Sequence, residues 1–213
     1  QIISCHSQVQ GAGELPFVSR YGNLLAVGAK PSTTKTINDF RKSYLCELDK
    51  VSDGRRFVTD KMPQNFWYIG LIMKAFPEAK IIHVQRDPAA TCWSNFKHYF
   101  PATDLGYSYD MCDVVAYFKI YQDLMKFWSK HYGEQIYNLA YDKLTIDQEF
   151  ETRKLVKHFK LGWEDACLSP QENERIVKTA SQQQVKNKVY TGSSQAWRKF
   201  EPYLNGVFDE LKA

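Results

Sequence analysis

The chain has 213 residues, of which 44% are apolar, 24% charged and 15% aromatic, enough for one ordinary domain that buries roughly 70% of its unfolded surface. That mixture excludes a disordered, collagenous or coiled-coil chain, and no apolar run approaches the roughly 18 residues of a membrane-spanning helix. With 28 Lys and Arg against 24 Asp and Glu, the net charge of +4 suits an anionic small ligand but lacks the clustered basic face of a nucleic-acid binder.

In chain order, Gln1-Ile2-Ile3-Ser4 reads as the end of a helix rather than a chain start, and no signal peptide follows it. Helices are predicted at about 15–27 and 36–50. A first strand, Arg56–Thr59, leads into the turn Asp60-Lys61-Met62-Pro63. A helix over 64–76 stops before Pro77, as chains do ahead of proline. The second strand, Lys80–Val84, is β-branched and ends at Gln85-Arg86-Asp87-Pro88, with Pro88 opening a helix that runs to about Tyr99. Over 110–132, Val114, Phe118, Tyr121, Met125 and Trp128 form one apolar helical stripe, which reads as core. A third strand covers Gln135–Tyr141. A last helix at 146–160 turns Phe150, Leu155, Val156 and Phe159 inward.

No linker or repeat divides the sequence, so 1–213 reads as a single domain. Strands alternating with helices give an α/β fold, a parallel sheet with helical cover, although three strands are few for a chain of this size. Cys5, Cys46, Cys92, Cys112 and Cys167 are scattered, without C-x-x-C or zinc spacing, and read as thiols of a reducing compartment. Metal chemistry is not expected. Lys154, Lys157 and Lys160, at helical spacing, read as a solvated helix face.

Ligands of open α/β sheets bind outside the carboxyl ends of the strands. Arg86 leaves the second strand at that edge, next to a helix N-terminus, with Thr91 and Ser94 leaning back toward it. An arginine, a hydroxyl and a helix N-terminus together make a phosphate clamp. The plain alternative makes Arg86 a surface partner of Asp87 and Ser94 a filler.

The stretches Thr59-Asp60-Lys61-Met62-Pro63-Gln64-Asn65-Phe66 and Ile82-His83-Val84-Gln85-Arg86-Asp87-Pro88, followed by Thr91-Cys92-Trp93-Ser94, resemble the sulfotransferase family. The likeness is to bacterial sulfotransferases often fused to tetratricopeptide repeats and to their relatives, the protein-tyrosine sulfotransferases. Gly11-Ala12-Gly13-Glu14 and the run Thr179-Ala180-Ser181, Val185, Tyr190, Ser194, Trp197 resemble further family segments, in order along the chain. The resemblance implies a P-loop-type three-layer sandwich with helices on both faces of a parallel sheet. It also implies transfer of a sulfuryl group from PAPS (3′-phosphoadenosine 5′-phosphosulfate) to a small-molecule, glycan or peptide-tyrosine hydroxyl, without metal. Arg86 and Ser94 match the residues that hold the 3′-phosphate. Glu14 matches the general base, and Lys61 the lysine at the departing phosphosulfate oxygen. Tyr141 and Ser181 match positions that line the nucleotide. Read without the family, Glu14 is a helix N-terminal acid and Lys61 a loop lysine.

Two departures from the family pattern follow. No loop like P-R-S-G-T-[ST] occurs; Thr191-Gly192-Ser193-Ser194 only echoes one, and the position before Trp197 is Ala196 rather than basic. The sequence therefore reads as lacking its first strand and phosphate loop, with little or no activity expected of these 213 residues alone. The alternatives are a non-catalytic nucleotide- or protein-binding module that keeps only the 3′-phosphate half-site, and a nucleotide kinase-like protein. Trp67, Tyr68, Trp93, Tyr99, Phe100, Tyr107 and Tyr109 suit an aromatic acceptor pocket or ordinary packing. Nothing in the sequence argues for export, so the default location is cytoplasmic.

Overall fold

In the computed structural model, which describes residues 1–100, 103–173 and 186–211, four strands form: β1 (Val9–Gly13), β2 (Phe57–Asp60), β3 (Ile81–Gln85) and β4 (Ile136–Ala140). The last three fall within a residue or two of their expected limits. β1 was not expected, because a five-residue run with two glycines and one β-branched residue carries almost no strand signal of its own. It forms on the ladder that β2 offers: Val9 pairs Phe57, Gln10 pairs Val58 and Gly11 pairs Thr59, all parallel. The register then shifts between Gly11 and Gly13, so that Gly13 meets Asp60. Gly13 takes φ 78°, a left-handed conformation that costs glycine nothing, and turns the chain out of the strand at Glu14.

β3 and β4 pair in parallel without a slip, from Ile81–Ile136 to Gln85–Ala140. Instead of one three-stranded sheet, the described residues contain two separate two-stranded parallel sheets. The result is a mixed α/β fold, mostly helical, with short parallel pairs.

Helices α1 (Phe17–Ala26) and α2 (Thr34–Val51) join β1 to β2. The predicted helix at 64–76 is instead a 3₁₀ segment, Pro63–Tyr68, followed by the short α3 (Ile69–Ala75). Within the tighter segment the Phe66 carbonyl accepts from the Trp128 indole N–H at 2.9 Å. Helices α4 (Pro88–Lys97) and α5 (Met111–Tyr132) join β3 to β4. After β4 the chain turns at once into α6 (Tyr141–Ile146) and then α7 (Gln148–His158). Tyr141 thus opens a helix rather than ending a strand, and Asp147, capping the Phe150 N–H at 3.0 Å, divides the predicted 146–160 helix from α6. The helix end expected at the start of the chain is a 3₁₀ turn, Ile2–Cys5.

Packing explains the arrangement. Val18, Leu25, Ile37, Phe40, Ala75 and Phe76 bury the contact among α1, α2 and the end of α3. The other end of α3 gives Ile69 and Met73 to a cluster with Met125 and Ile136, so one short helix joins the two halves. Ala89, Ala90, Cys92, Val114, Val115 and Phe118 seal α4 against α5, and Trp197, Phe208 and Leu211 close the same cluster from the C-terminal segment. Each such large side chain contributes about 1.5–3 kcal/mol on burial. The α5 stripe is as predicted: Val114, Phe118 and Met125 are buried, while Tyr121 and Trp128 are half-buried. On α7 the expectation for Phe150 fails; its ring is 58% exposed and lies near the Lys154 ammonium. Lys154 pairs with Glu151 at 2.9 Å, and Lys157 and Lys160 are exposed, as a solvated helix face requires. Burial pushes the Cys92 thiol up to about 12 and the Cys167 thiol to about 11, so both stay protonated packing groups. Among the described residues no helix is long and apolar enough to cross a membrane.

The joining role of α3 is testable. A Cβ on Gly70 would lie 2.7 and 2.8 Å from ring atoms of Trp128. Gly70→Ala is therefore expected to cost about 1–3 kcal/mol through overpacking, seen as a lower urea midpoint by tryptophan fluorescence. An unchanged midpoint would mean that α3 and α5 are not tightly seated on each other.

Candidate active site

Parallel pairing in register brings the residues just beyond two strands to neighbouring positions at one edge. At the β1–β2 edge these are Glu14 and Lys61. The Lys61 N–H donates to the Gly13 carbonyl at 2.8 Å, extending the ladder by one bond, and the Lys61 ammonium forms an ion pair with Glu14 Oε1. The lysine side chain is 61% exposed and the glutamate 30%, so both heads reach solvent. Pairing across such an exposed edge is worth little to stability.

Beneath this pair lies Asp60, which sequence reasoning did not single out. Its Oδ1 accepts from the Leu15 N–H at 3.2 Å; its Oδ2 accepts from the Tyr44 hydroxyl at 3.0 Å and from Asn65 Nδ2 at 3.4 Å. One carboxylate thus ties the turn after Glu14, the turn after Lys61 and helix α2. Burial raises the Asp60 pKa despite these donors, and the Tyr44 hydroxyl is pushed well up by its own burial and by the Asp60 charge.

At the β3–β4 edge the corresponding residues are Arg86 and Tyr141, one beyond the Gln85–Ala140 pair. The Arg86 guanidinium carbon lies 5.2 Å from the centre of the Tyr141 ring, and Arg86 Nε donates to Ser194 Oγ at 2.9 Å. Tyr141 OH shares a 3.2 Å hydrogen bond with Ser193 Oγ. The plain reading of Arg86 as a partner of Asp87 does not hold: among the described residues Arg86 has no carboxylate partner. Asp87 instead caps α4, accepting from the Ala90 N–H at 2.7 Å, while its own N–H donates to Asp142 Oδ2 at 3.2 Å. The α4 N-terminus is therefore partly satisfied from within.

The hydroxyls expected beside Arg86 behave differently from the sequence picture. Thr91 Oγ1 donates back to the Asp87 carbonyl at 2.9 Å, within its own helix. Ser94 is half-buried; its carbonyl faces His98 Nδ1 at 2.6 Å, and its hydroxyl makes no hydrogen bond among the described residues. The hydroxyl on Arg86 belongs to Ser194, which is 5% exposed. The one available signal for it was its place three residues before Trp197. Ser181 lies outside the described residues.

The aromatic residues do not gather into one pocket. Tyr107 stacks on Tyr117 at 3.9 Å, Trp67 donates to the Tyr117 hydroxyl at 3.1 Å, and Trp93 stacks on Phe200 at 4.6 Å. Tyr99 pairs with Tyr109 at 6.2 Å on the surface. A shallow hollow of about 360 Å³ beyond α7, lined by residues including Arg153, Lys157, Lys160 and Trp163, contains none of the residues at the two strand edges. Among the described residues no group of three His, Cys, Asp or Glu side chains is arranged to hold a metal ion.

Comparison with known proteins adds to this geometry. The family model described as "Sulfotransferase family" matches residues 1–165. An uncharacterized protein of Aquifex aeolicus (strain VF5) is 34% identical over 228 aligned positions, covering 100% of this chain. The chain spans 30% of that relative's length.

Asp60 yields a prediction with a definite sign. A carboxyl whose pKa is raised by folding favours the fold in its protonated form, and that contribution fades as pH rises through the raised value. The stability of Asp60→Asn relative to wild type should accordingly improve as pH is raised from the usual carboxylate range toward neutrality. Thermal unfolding at a series of pH values measures it; a difference that is flat or falls with pH would contradict a pKa of Asp60 raised by desolvation.

Proposed function

We propose that this chain, which belongs to the sulfotransferase family, binds PAPS at its two strand edges and transfers the sulfuryl group to a hydroxyl acceptor. The observation that carries the reading is Arg86, a guanidinium with no carboxylate partner among the described residues, lying over Tyr141 at the carboxyl edge of a parallel pair. A cation left without an anion at that edge is what a phosphate ligand needs. In this reading Arg86 and Ser94 take the 3′-phosphate, and Tyr141 and Ser181 line the nucleotide. Glu14 and Lys61 stand at the reacting centre.

The chemistry follows from those groups. PAPS supplies a sulfuryl group bridged to a phosphate leaving group. The acceptor oxygen attacks sulfur, the bridging S–O bond breaks, and its electron pair passes to the phosphate oxygen. Lys61 offers an ammonium to that developing charge, an effect typically worth about 10²–10³ in rate for one well-aimed donor. Glu14 accepts the acceptor's proton, a contribution of about 10²–10⁴. The salt bridge between them holds the carboxylate and the ammonium side by side, and an entering hydroxyl would part the two.

The finer architecture belongs to the same proposal. Two short parallel pairs, both presenting functional residues at their carboxyl ends, are read as parts of one P-loop-type sheet, completed by a further parallel strand whose phosphate loop meets the 5′-phosphosulfate. None of the 213 residues supplies that loop.

Calorimetric titration with PAP, the product nucleotide, tests the reading without requiring turnover. Micromolar binding is expected. Arg86→Ala should weaken it by about 10- to 150-fold, as loss of a charged hydrogen-bonding partner costs about 1.5–3 kcal/mol, while Glu14→Gln should leave it within a factor of about 3. Equal affinity in Arg86→Ala would remove the nucleotide site from this edge. Binding without any PAPS turnover in a chain that carries the phosphate loop would favour the non-catalytic module.

A further inference from the structure

The segment after residue 185 reaches back across the fold to both residues of the β3–β4 edge. Gly192 adopts φ 88° and turns the chain into a 3₁₀ segment, Ser193–Tyr203. The two hydroxyls that open this segment are consecutive, yet they reach residues that follow different strands: Ser193 Oγ meets Tyr141 OH at 3.2 Å, and Ser194 Oγ accepts from Arg86 Nε at 2.9 Å. The segment cannot drift, because Trp197, three residues on, is 5% exposed in the α4–α5 core and Phe200 stacks on Trp93 at 4.6 Å.

We propose that Ser193 and Ser194 are positioning residues of the anion site, Ser194 fixing the Arg86 guanidinium through Nε and Ser193 fixing the Tyr141 ring beneath it. The inference rests on the reading of Arg86 as the phosphate-binding arginine and deepens it. A guanidinium carries five N–H donors. Holding it by Nε spends one and fixes the plane of the rest, leaving the donors on Nη1 and Nη2 for two phosphate oxygens. An arginine on four rotatable bonds otherwise loses much of its rotamer freedom when the ligand binds. Here the buried serine has already ordered it. The C-terminal segment thereby becomes part of the nucleotide site, and ligand affinity depends on how well Trp197 docks.

Two readouts separate this inference from the function reading. The first needs no ligand: the Arg86 Nε–H resonance, assigned with Arg86→Lys, is expected to be protected from solvent exchange in wild type and in Ser194→Thr but not in Ser194→Ala. The second is PAP affinity. Ser194→Ala should weaken it about 2- to 12-fold, the cost of ordering one rotamer-rich side chain on binding. Ser194→Thr should restore most of the loss, and in the Arg86→Lys background Ser194→Ala should have no further effect. Ser94→Ala should keep its effect in that background, since Ser94 is read as touching the phosphate directly. Full PAP affinity in Ser194→Ala, with Arg86→Ala still defective, would overturn the positioning role and leave the nucleotide site standing. Failure of wild type to bind PAP at all would overturn the nucleotide reading and this assignment with it.

Discussion

Paired parallel strands deliver the residues that follow them to a common edge, and the proposed site of this chain hangs on that geometry. The β1–β2 pair delivers Glu14 and Lys61; the β3–β4 pair delivers Arg86 and Tyr141. Neither pair could persist alone in water, because a two-stranded ladder buries too little surface. The helices make the edges rigid. β4 is held through Ile136 and Leu139, both buried, and α3 joins its cluster to the α1–α2 cluster. Cross-strand His83 and Asn138 share a hydrogen bond of 2.8 Å, and His83 Nε2 is bonded to the Tyr121 hydroxyl on α5. The ladder is thereby fastened to the helix behind it.

The two edges differ in how their charges are treated. At one, opposite charges already face each other in solvent, Lys61 against Glu14, above the half-buried Asp60 carboxylate that gathers donors from three parts of the chain. At the other, among the described residues, the guanidinium is held by neutral groups only, a serine hydroxyl and a tyrosine ring. A neutral cradle orients a cation without cancelling it, whereas a carboxylate would compete with any incoming anion. That contrast suits a division of labour in which one edge holds a phosphate and the other handles a proton and a leaving group.

How far these features could be read in advance depends on how local their causes are. Arg86 was legible because a β-branched run, a charged turn and Pro88 lie within ten residues of one another. The α5 stripe was legible because five apolar residues keep one helical period. β1 was not, since Gln10-Gly11-Ala12-Gly13 becomes a strand only when β2 presents its ladder, more than forty residues away in the chain. Asp60 was read as part of a turn; alternation across the strand turns it inward while its neighbour Lys61 faces out. Ser194 was the hardest, because it meets Arg86 across 108 positions and no spacing rule links them. Helical lean and the family resemblance both put Ser94 beside Arg86, one helix along, where its hydroxyl has no bond to Arg86. The family resemblance supplied what periodicity lacked: it joined Glu14, Lys61 and Arg86, which lie far apart in the chain, into one chemical hypothesis.

The central claim is that Arg86, cradled by Ser194 and Tyr141, receives the phosphate of a nucleotide while Glu14 and Lys61 face its reacting end. A crystal structure of the protein with PAP bound tests it most directly. The account expects the 3′-phosphate within about 3 Å of the Arg86 terminal nitrogens, with the nucleotide beside Tyr141 and its 5′-phosphate directed toward Lys61. Nucleotide bound elsewhere, with the Arg86–Ser194 hydrogen bond intact and no phosphate upon it, would contradict the account.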